Sequence, residues 1–283
     1  MNPPHREQGY ASVAAVAAIA VFGLMALALV QASQSTIGDA AAEVGQARAA
    51  AAADAGLALA LDGLLARDRA NRWSIDGRNR SLRFDGAQLT VRIEDERGKV
   101  PLNLLDEAMA ARLIEAAGLG AGERADIAAQ SLLDWIDNDE QPHPSGAENA
   151  YYRPRGIHPR NAPLQTIDEL AQVRGFDPAL VDRLRSFVTV NYGSGAFDAS
   201  HARPEAISVM LGGGRDSPQA IARQREMAGQ RVAIELGDDR DLAGRPLTVV
   251  VEAVRPDGAR ALRRAIIELT GSELRPYIVR AFD

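Results

Sequence analysis

Side chains able to hold a metal ion are concentrated in one stretch of this chain. Asp134, Asp137, Asn138, Asp139 and Glu140 stand where an apolar-periodic segment ends, and Glu148 follows after Pro142, Pro144 and Gly146. Calcium takes about six to eight oxygens from flexible turns of this kind. The spacing is not that of an EF-hand, because no glycine follows Asp139 at the turn position and no twelve-residue loop fits. A solvated acidic helix end is the plainer alternative, although acids at a helix C-terminus oppose its dipole and need compensation.

The rest of the chemical inventory is thin. The histidines are His5, His143, His158 and His201, and no triad can be assembled around them. Ser145 lies in Pro144-Ser145-Gly146, which is not a nucleophile elbow, and Gly212-Gly213-Gly214 lacks the lysine of a phosphate loop. Zinc held by His143, His158 and nearby acids would have no recognisable spacing. The chain is therefore expected not to be an enzyme. A net charge of −6 argues against nucleic acid as a partner. One rival remains, a membrane-anchored helix-hairpin-helix protein for DNA binding or uptake, since Val173-Arg174-Gly175-Phe176-Asp177 sits where such a hairpin would grip a phosphate. Asp177 occupies the place of the second glycine and would repel it. There are no cysteines in a chain that looks exported, so added stability must come from packing, assembly or bound ions.

The elements that must position these residues begin with a boundary, Arg6-Glu7-Gln8-Gly9, followed by an uncharged run from Tyr10 to Val30. As a helix the run reaches roughly 30 Å, enough for a bilayer core. Polar residues precede the apolar run, as in the substrates of prepilin peptidase, which would cut between Gly9 and Tyr10; an ordinary secretory signal is cut after its apolar run. A non-cleaved anchor and a cut after Ala32 are the competing readings. Positions 1–9 are thus read as a leader and 10–38 as a transmembrane helix, with the remainder outside the inner membrane, in the periplasm.

An alanine-rich segment from Asp39 to about Asp68 should continue that helix, with Leu57, Leu61, Leu64 and Leu65 at spacings of three and four. Its glycines, 38, 45, 56 and 63, suggest a small-residue face for close approach of other helices, with Gly45 and Ala49 as the partner-binding positions. Period two then appears: Leu82 and Phe84, an Asp85-Gly86 turn, and Leu89, Val91 and Ile93. The middle, from about Leu102 to Gly229, reads as three helix-turn-helix passages. Thr166 to Glu169 forms a capping box, and Asp177 with Pro178 restarts a helix. A third passage ends at the glycines 212 to 214 and restarts at Ser217-Pro218. Strands return with Val232, Ile234 and Leu236, with Leu247 to Val254, and after a Pro256-Asp257-Gly258 turn with Ile266 to Leu269. Strands bracketing a helical block imply an insertion. The expected fold is α+β: a pilin-like helix-plus-antiparallel-sheet domain in two parts, 39–100 and 229–283, with an inserted all-helical domain at 101–228.

Taken together, the leader and anchor, Asp95-Glu96-Arg97-Gly98-Lys99-Val100-Pro101-Leu102-Asn103, Leu133-Asp134-Trp135-Ile136-Asp137-Asn138-Asp139, Gly146-Ala147-Glu148-Asn149-Ala150-Tyr151-Tyr152, and Asp168-Glu169-Leu170 leading to Val173-Arg174-Gly175-Phe176 resemble the minor pseudopilin K family of type II secretion systems. The resemblance covers nearly the whole chain and departs locally at His201-Ala202-Arg203-Pro204-Glu205. It implies a place at the tip of a periplasmic pseudopilus, where the protein caps the filament during protein export across the outer membrane. It also implies partners among the minor pseudopilins, chiefly I and J and also H, processing by prepilin peptidase with methylation of the new amino terminus, and bound calcium. With the family in view, the metal is expected near Asp137, Asp139 and Glu148. If Tyr10 is the first mature residue, the fifth is Ala14, where most pilin-like subunits carry a glutamate. A carboxylate in the membrane is kept only where it meets a charge partner, and a subunit at the top needs none.

Overall fold

In a computed structural model the chain is described at residues 8–66, 68, 71–193, 195–212 and 242–282, without the side chains of 8–21, 23 and 26–38. The helix α1 (Gln8–Leu65) runs unbroken for 58 residues, about 87 Å at 1.5 Å per residue. Among the described residues no helix is long and apolar enough to cross a membrane. Most side chains of the expected span, 10–38, lie outside the described residues, as do the third helical restart at Ser217 and the strand expected at Val232 to Leu236.

The second half of α1 lies on a five-stranded antiparallel sheet built from β1 (Arg80–Phe84), β2 (Ala87–Asp95), β5 (Pro246–Val254), β6 (Arg260–Leu269) and β7 (Tyr277–Phe282), in the order β1-β2-β5-β6-β7. β1 and β2 are joined through Asp85 and Gly86, both at positive φ, as the primed two-residue hairpin turn requires. Alternation on β2 turns Leu89, Val91 and Ile93 toward the helix. Leu247, Val249 and Val251 of β5 do the same, and together they cover Ala49, Ala52, Ala53, Leu57, Ala60 and Leu64. The small residues of α1 therefore serve this contact. A Cβ on Gly56 would stand 2.5 Å from Val251, and one on Gly63 would stand 2.4 Å from the Trp73 ring. Gly45 and Ala49, the positions expected to bind a partner, lie on this same face. Ala49 is fully buried, and a Cβ on Gly45 would meet Asp257 and Ala259 of the β5–β6 turn. A helix covering a sheet must turn its closest-approach face inward, which leaves that face nothing to offer a second chain.

Between β2 and β5 the chain builds a second, separate hydrophobic cluster, running from Val100 to Val209. It is made by α2 (Glu107–Ala116), α3 (Glu123–Ile136), α4 (Asn149–Tyr152), α5 (Pro178–Leu184) and α6 (Pro204–Leu211), with 3-10 turns between them. The Thr166 capping box forms, but it opens a 3-10 turn, Ile167–Gln172, in place of an α-helix. Asp177 caps α5 by accepting from the Leu180 N–H, and Pro178 follows it. A short parallel pair, β3 (Val100–Pro101) with β4 (Val188–Thr189), closes the unit at its base.

Where the two clusters meet, the contact is polar. Arg245 Nη1 donates to Asp95 Oδ2 at 2.6 Å and to Asp198 Oδ2 at 2.7 Å. The buried Glu96 accepts from Thr248 of β5, Thr189 of β4 and Lys99. Arg97 reaches the Gly244 carbonyl at 3.0 Å.

Candidate metal centre

α3 places Asp134 on its buried side, within the last turn of a helix that ends at Ile136. Trp135 beside it packs edge-to-face on Tyr152, centroids 5.1 Å apart, which ties the end of α3 to α4. The loop between them folds back over Asp134. Its Oδ1 accepts from the His143 backbone N–H at 3.1 Å and also meets His143 Nδ1. Gly146 then passes so close to the carboxylate that a Cβ would stand 1.9 Å from Asp134 Oδ2. Arg174 fixes the return of the loop by donating to the Gly146 carbonyl at 2.9 Å, while its own N–H donates to the Tyr152 hydroxyl. The segments around residues 134, 146–152 and 174 thus meet at one place in the fold.

The loop brings the expected residues into one cluster. Asp137, Asp139 and Glu148 each present a carboxylate oxygen within 4.8 Å of the others, and Asp134, Asp137 and His143 form a second such group that shares Asp137. Asp137 caps α3, Asp139 accepts from the Gln141 N–H at 2.8 Å, and Glu148 stands at the start of α4, only 4% exposed. His158 joins neither group among the described residues. Glu140 enters through Asn161, whose amide nitrogen faces the Asp139 carbonyl, Glu140 Oε1 and Glu148 Oε2.

The carboxylates of the loop crowd one another. Burial, then the charges of Asp134, Asp137 and Glu140, push the Glu148 carboxyl up to about 7. Burial also raises Asp137, and the hydrogen bond that His143 donates to Asp134 raises His143. Asp134 Oδ2, Glu148 Oε1, Asn149 Oδ1 and Asn161 Oδ1 are buried acceptors with no donor among the described residues. Unpaired buried acceptors cost about 1–3 kcal/mol each, and a divalent ion would satisfy several at once. The donor set is mostly oxygen on a loop, which fits a hard cation of loose geometry such as calcium. Sequence reasoning missed Asn161. It sits at φ +44°, and its role depends on a return of the chain that no local pattern announces.

Two other candidates are filled. Asp95, Asp198 and His201 also cluster, but the Arg245 guanidinium already lies on both carboxylates. At Val173 to Asp177, the place of the rival DNA-binding reading, Gly175 is turned inward, where a Cβ would stand 2.9 Å from Ala128 Cα. That backbone is used for helix packing and is closed to a phosphate.

Residues 92–192 match the family profile of the type II secretion system, protein K. The type II secretion system protein K of Klebsiella pneumoniae is 34% identical over 107 residues, 37% of this chain and 32% of the relative. That of Dickeya chrysanthemi is 37% identical over 68 residues, 24% of this chain and 19% of the relative. The matched stretch thus spans about a third or less of these relatives' length. In fold, the chain is similar to one in the crystal structure of the GspK-GspI-GspJ complex from enterotoxigenic Escherichia coli, with a TM-score of 0.55 at 18% identity, covering 89% of this chain and 96% of that one. The acidic loop, its Gly146 crossing and the Arg174 tie all lie inside the residues that match this family profile.

Proposed function

We propose that this chain is a minor pseudopilin that caps the pseudopilus of a type II secretion system and assembles there with partners equivalent to GspI and GspJ, joined by pseudopilin H. The observation that carries the reading is the coincidence of the protein K match at 92–192 with a fold likeness over nearly the whole chain to a member of the GspK-GspI-GspJ complex. The role is structural and not catalytic. The helical unit, 101–228, is an insertion in a pilin-like domain whose two parts are 39–100 and 229–283. Such a unit is too bulky to repeat along a packed filament.

In this reading prepilin peptidase cuts after Gly9, Tyr10 becomes the methylated amino terminus, and the segment 10–38 of α1 is held in the inner membrane with the rest in the periplasm. The exposed Phe22, Leu24 and Met25 suit lipid or neighbouring helices. Partner helices dock on the outer side of α1, where Ala40, Val44, Ala47, Ala51 and Ala58 are exposed. Asp137, Asp139 and Glu148 hold calcium, with Asp134 behind them, and the ion neutralises the buried carboxylates of the 137–148 loop.

Co-expression of the full chain with minor pseudopilins I and J, followed by detergent extraction and native mass measurement, tests the proposal. A complex with one copy of each is expected. A homopolymer of this chain alone, or no association, would overturn it.

A further inference from the structure

β7 closes the sheet on one side, and all six of its residues are exposed. A sheet edge normally shows one covered face, yet here Tyr277, Ile278, Val279 and Phe282 are between 38% and 58% exposed. Among the described residues, α1 makes its main contacts with β1, β2, β5 and β6, and none as extensive with β7. Register turns Tyr277, Val279 and Phe282 to the same face as Leu269, Ile267 and Ala265, the helix side, and Ile278 to the opposite face. The helix-side face of the strand is therefore apolar and open, while the other face exposes Ile278 beside the Arg280–Glu268 pair, with Leu262 open on the neighbouring β6. Edges left free in solution are commonly guarded by lysine, proline or an unpaired inward charge. β7 contains no lysine or proline, and its one charge, Arg280, is paired with Glu268. The bulge between Ile266 and Ile267 is its only guard among the described residues.

Charge indicates what the edge takes. Between 260 and 282 the chain has five arginines, 260, 263, 264, 275 and 280, against Glu268 and Glu273, a local net of 5 − 2 = +3 in a chain of −6. Arg263 and Arg280 are paired with Asp54 and Glu268. Arg264 and Arg275 are exposed and meet no acid among the described residues. A second copy of this chain would bring the same positive edge against itself, which like-charge repulsion disfavours.

We propose that the free edge of β7 is a strand-addition site for an extended segment of a partner pseudopilin, apolar at alternate positions and acidic at its flanks. The main chain of β7 supplies the hydrogen bonds, its apolar helix-side face receives the alternate side chains, and Arg264 and Arg275 receive the acids. This rests on the reading of the chain as a minor pseudopilin and names a surface separate from the outer face of α1.

The test is hydrogen exchange on the full chain, alone and in its detergent-extracted complex with pseudopilins I and J. Amides of 277–282 should exchange at least tenfold more slowly in the complex. The double variant Arg264→Glu/Arg275→Glu and the single variant Val279→Asp should each weaken association about tenfold or more while the melting temperature of the isolated chain holds. A complex that forms without added protection at β7, and that both variants join as well as the wild type, would overturn the site while leaving the pseudopilin reading intact. Failure of the wild type to join any complex would overturn the reading and the site with it. A wild-type chain that dimerises through β7 without partners would replace the acidic segment with a second copy and overturn the proposal.

Discussion

Gly146 and Asp134 show how closely single residues are matched in the acidic loop. With a Cβ at 1.9 Å from Asp134 Oδ2, Gly146→Ala must move a carboxylate that is fully buried. Overpacking of this kind costs about 1–3 kcal/mol. The expected result is a lower melting temperature, with a partial return in Gly146→Ala/Asp134→Ala, where the obstructing oxygen is gone. The cluster makes a second prediction. Chelation should lower the melting temperature of the full chain, and calcium should restore it better than magnesium. At free calcium of 100 times the dissociation constant the stabilisation is about 2.7 kcal/mol. Asp139→Asn removes a ligand charge and should raise the calcium requirement. Identical melting curves with and without chelator, in protein shown by elemental analysis to be metal-free, would dismiss calcium.

At the scale of elements, the contact between sheet and helical unit turns on Arg245 between Asp95 and Asp198. Hydrogen bonds from His201, Ser200 and Arg245 hold the Asp198 carboxyl well below its ordinary value, while burial raises that of Asp95. The depressed group sets the sign for Asp198: its stabilisation is complete above the unfolded value, near 4, and is lost as pH falls through that range toward its folded value. Asp198→Asn should therefore cost about 1–3 kcal/mol at neutral pH, the worth of hydrogen bonds to a charged group. It should also flatten the fall of melting temperature between pH 5 and pH 3. α1 allows a sharper comparison. Ala49→Leu forces volume into a fully buried position against the chain's own sheet and should destabilise the isolated protein. Ala51→Leu, on the exposed side, should leave folding intact and weaken assembly with pseudopilins I and J. The opposite pattern in melting and co-purification would return the partner face to Gly45 and Ala49.

For the whole molecule, a polar junction between two separate cores allows the helical unit to be carried on the helix-and-sheet body without merging with it. The proposed position at the filament tip requires processing on the cytoplasmic side of the anchor. N-terminal mass analysis of the mature protein should find methylated Tyr10, and Gly9→Asp should block the cut while membrane insertion continues. A mature chain beginning at Ser33 would mean ordinary export and would remove the filament.

Much of the architecture is written in local pattern. The Asp85-Gly86 turn between alternating strands specifies the first hairpin, because few residues other than glycine, asparagine and aspartate accept the positive φ that the turn needs. Asp177 and Pro178 place the start of α5, since a cap and a fixed φ act over three residues. The acidic stretch 134–148 is legible as a cluster because its carboxylates lie close together in the chain. What local pattern could not supply was direction and distant company. Alanine and glycine at 45, 49, 56 and 63 show that something approaches α1 closely, but not whether it is a partner's helix or the chain's own sheet; the sheet's strands are up to two hundred residues away, and their pairing decided it. Asn161 joined the cluster, and Arg245 filled the Asp95–Asp198 gap, through returns of the chain that only packing fixes. β7 was missed for the same reason: a strand exposed on both faces lacks the alternation that burial imposes on a sequence, and it is recognised by the neighbour it pairs with.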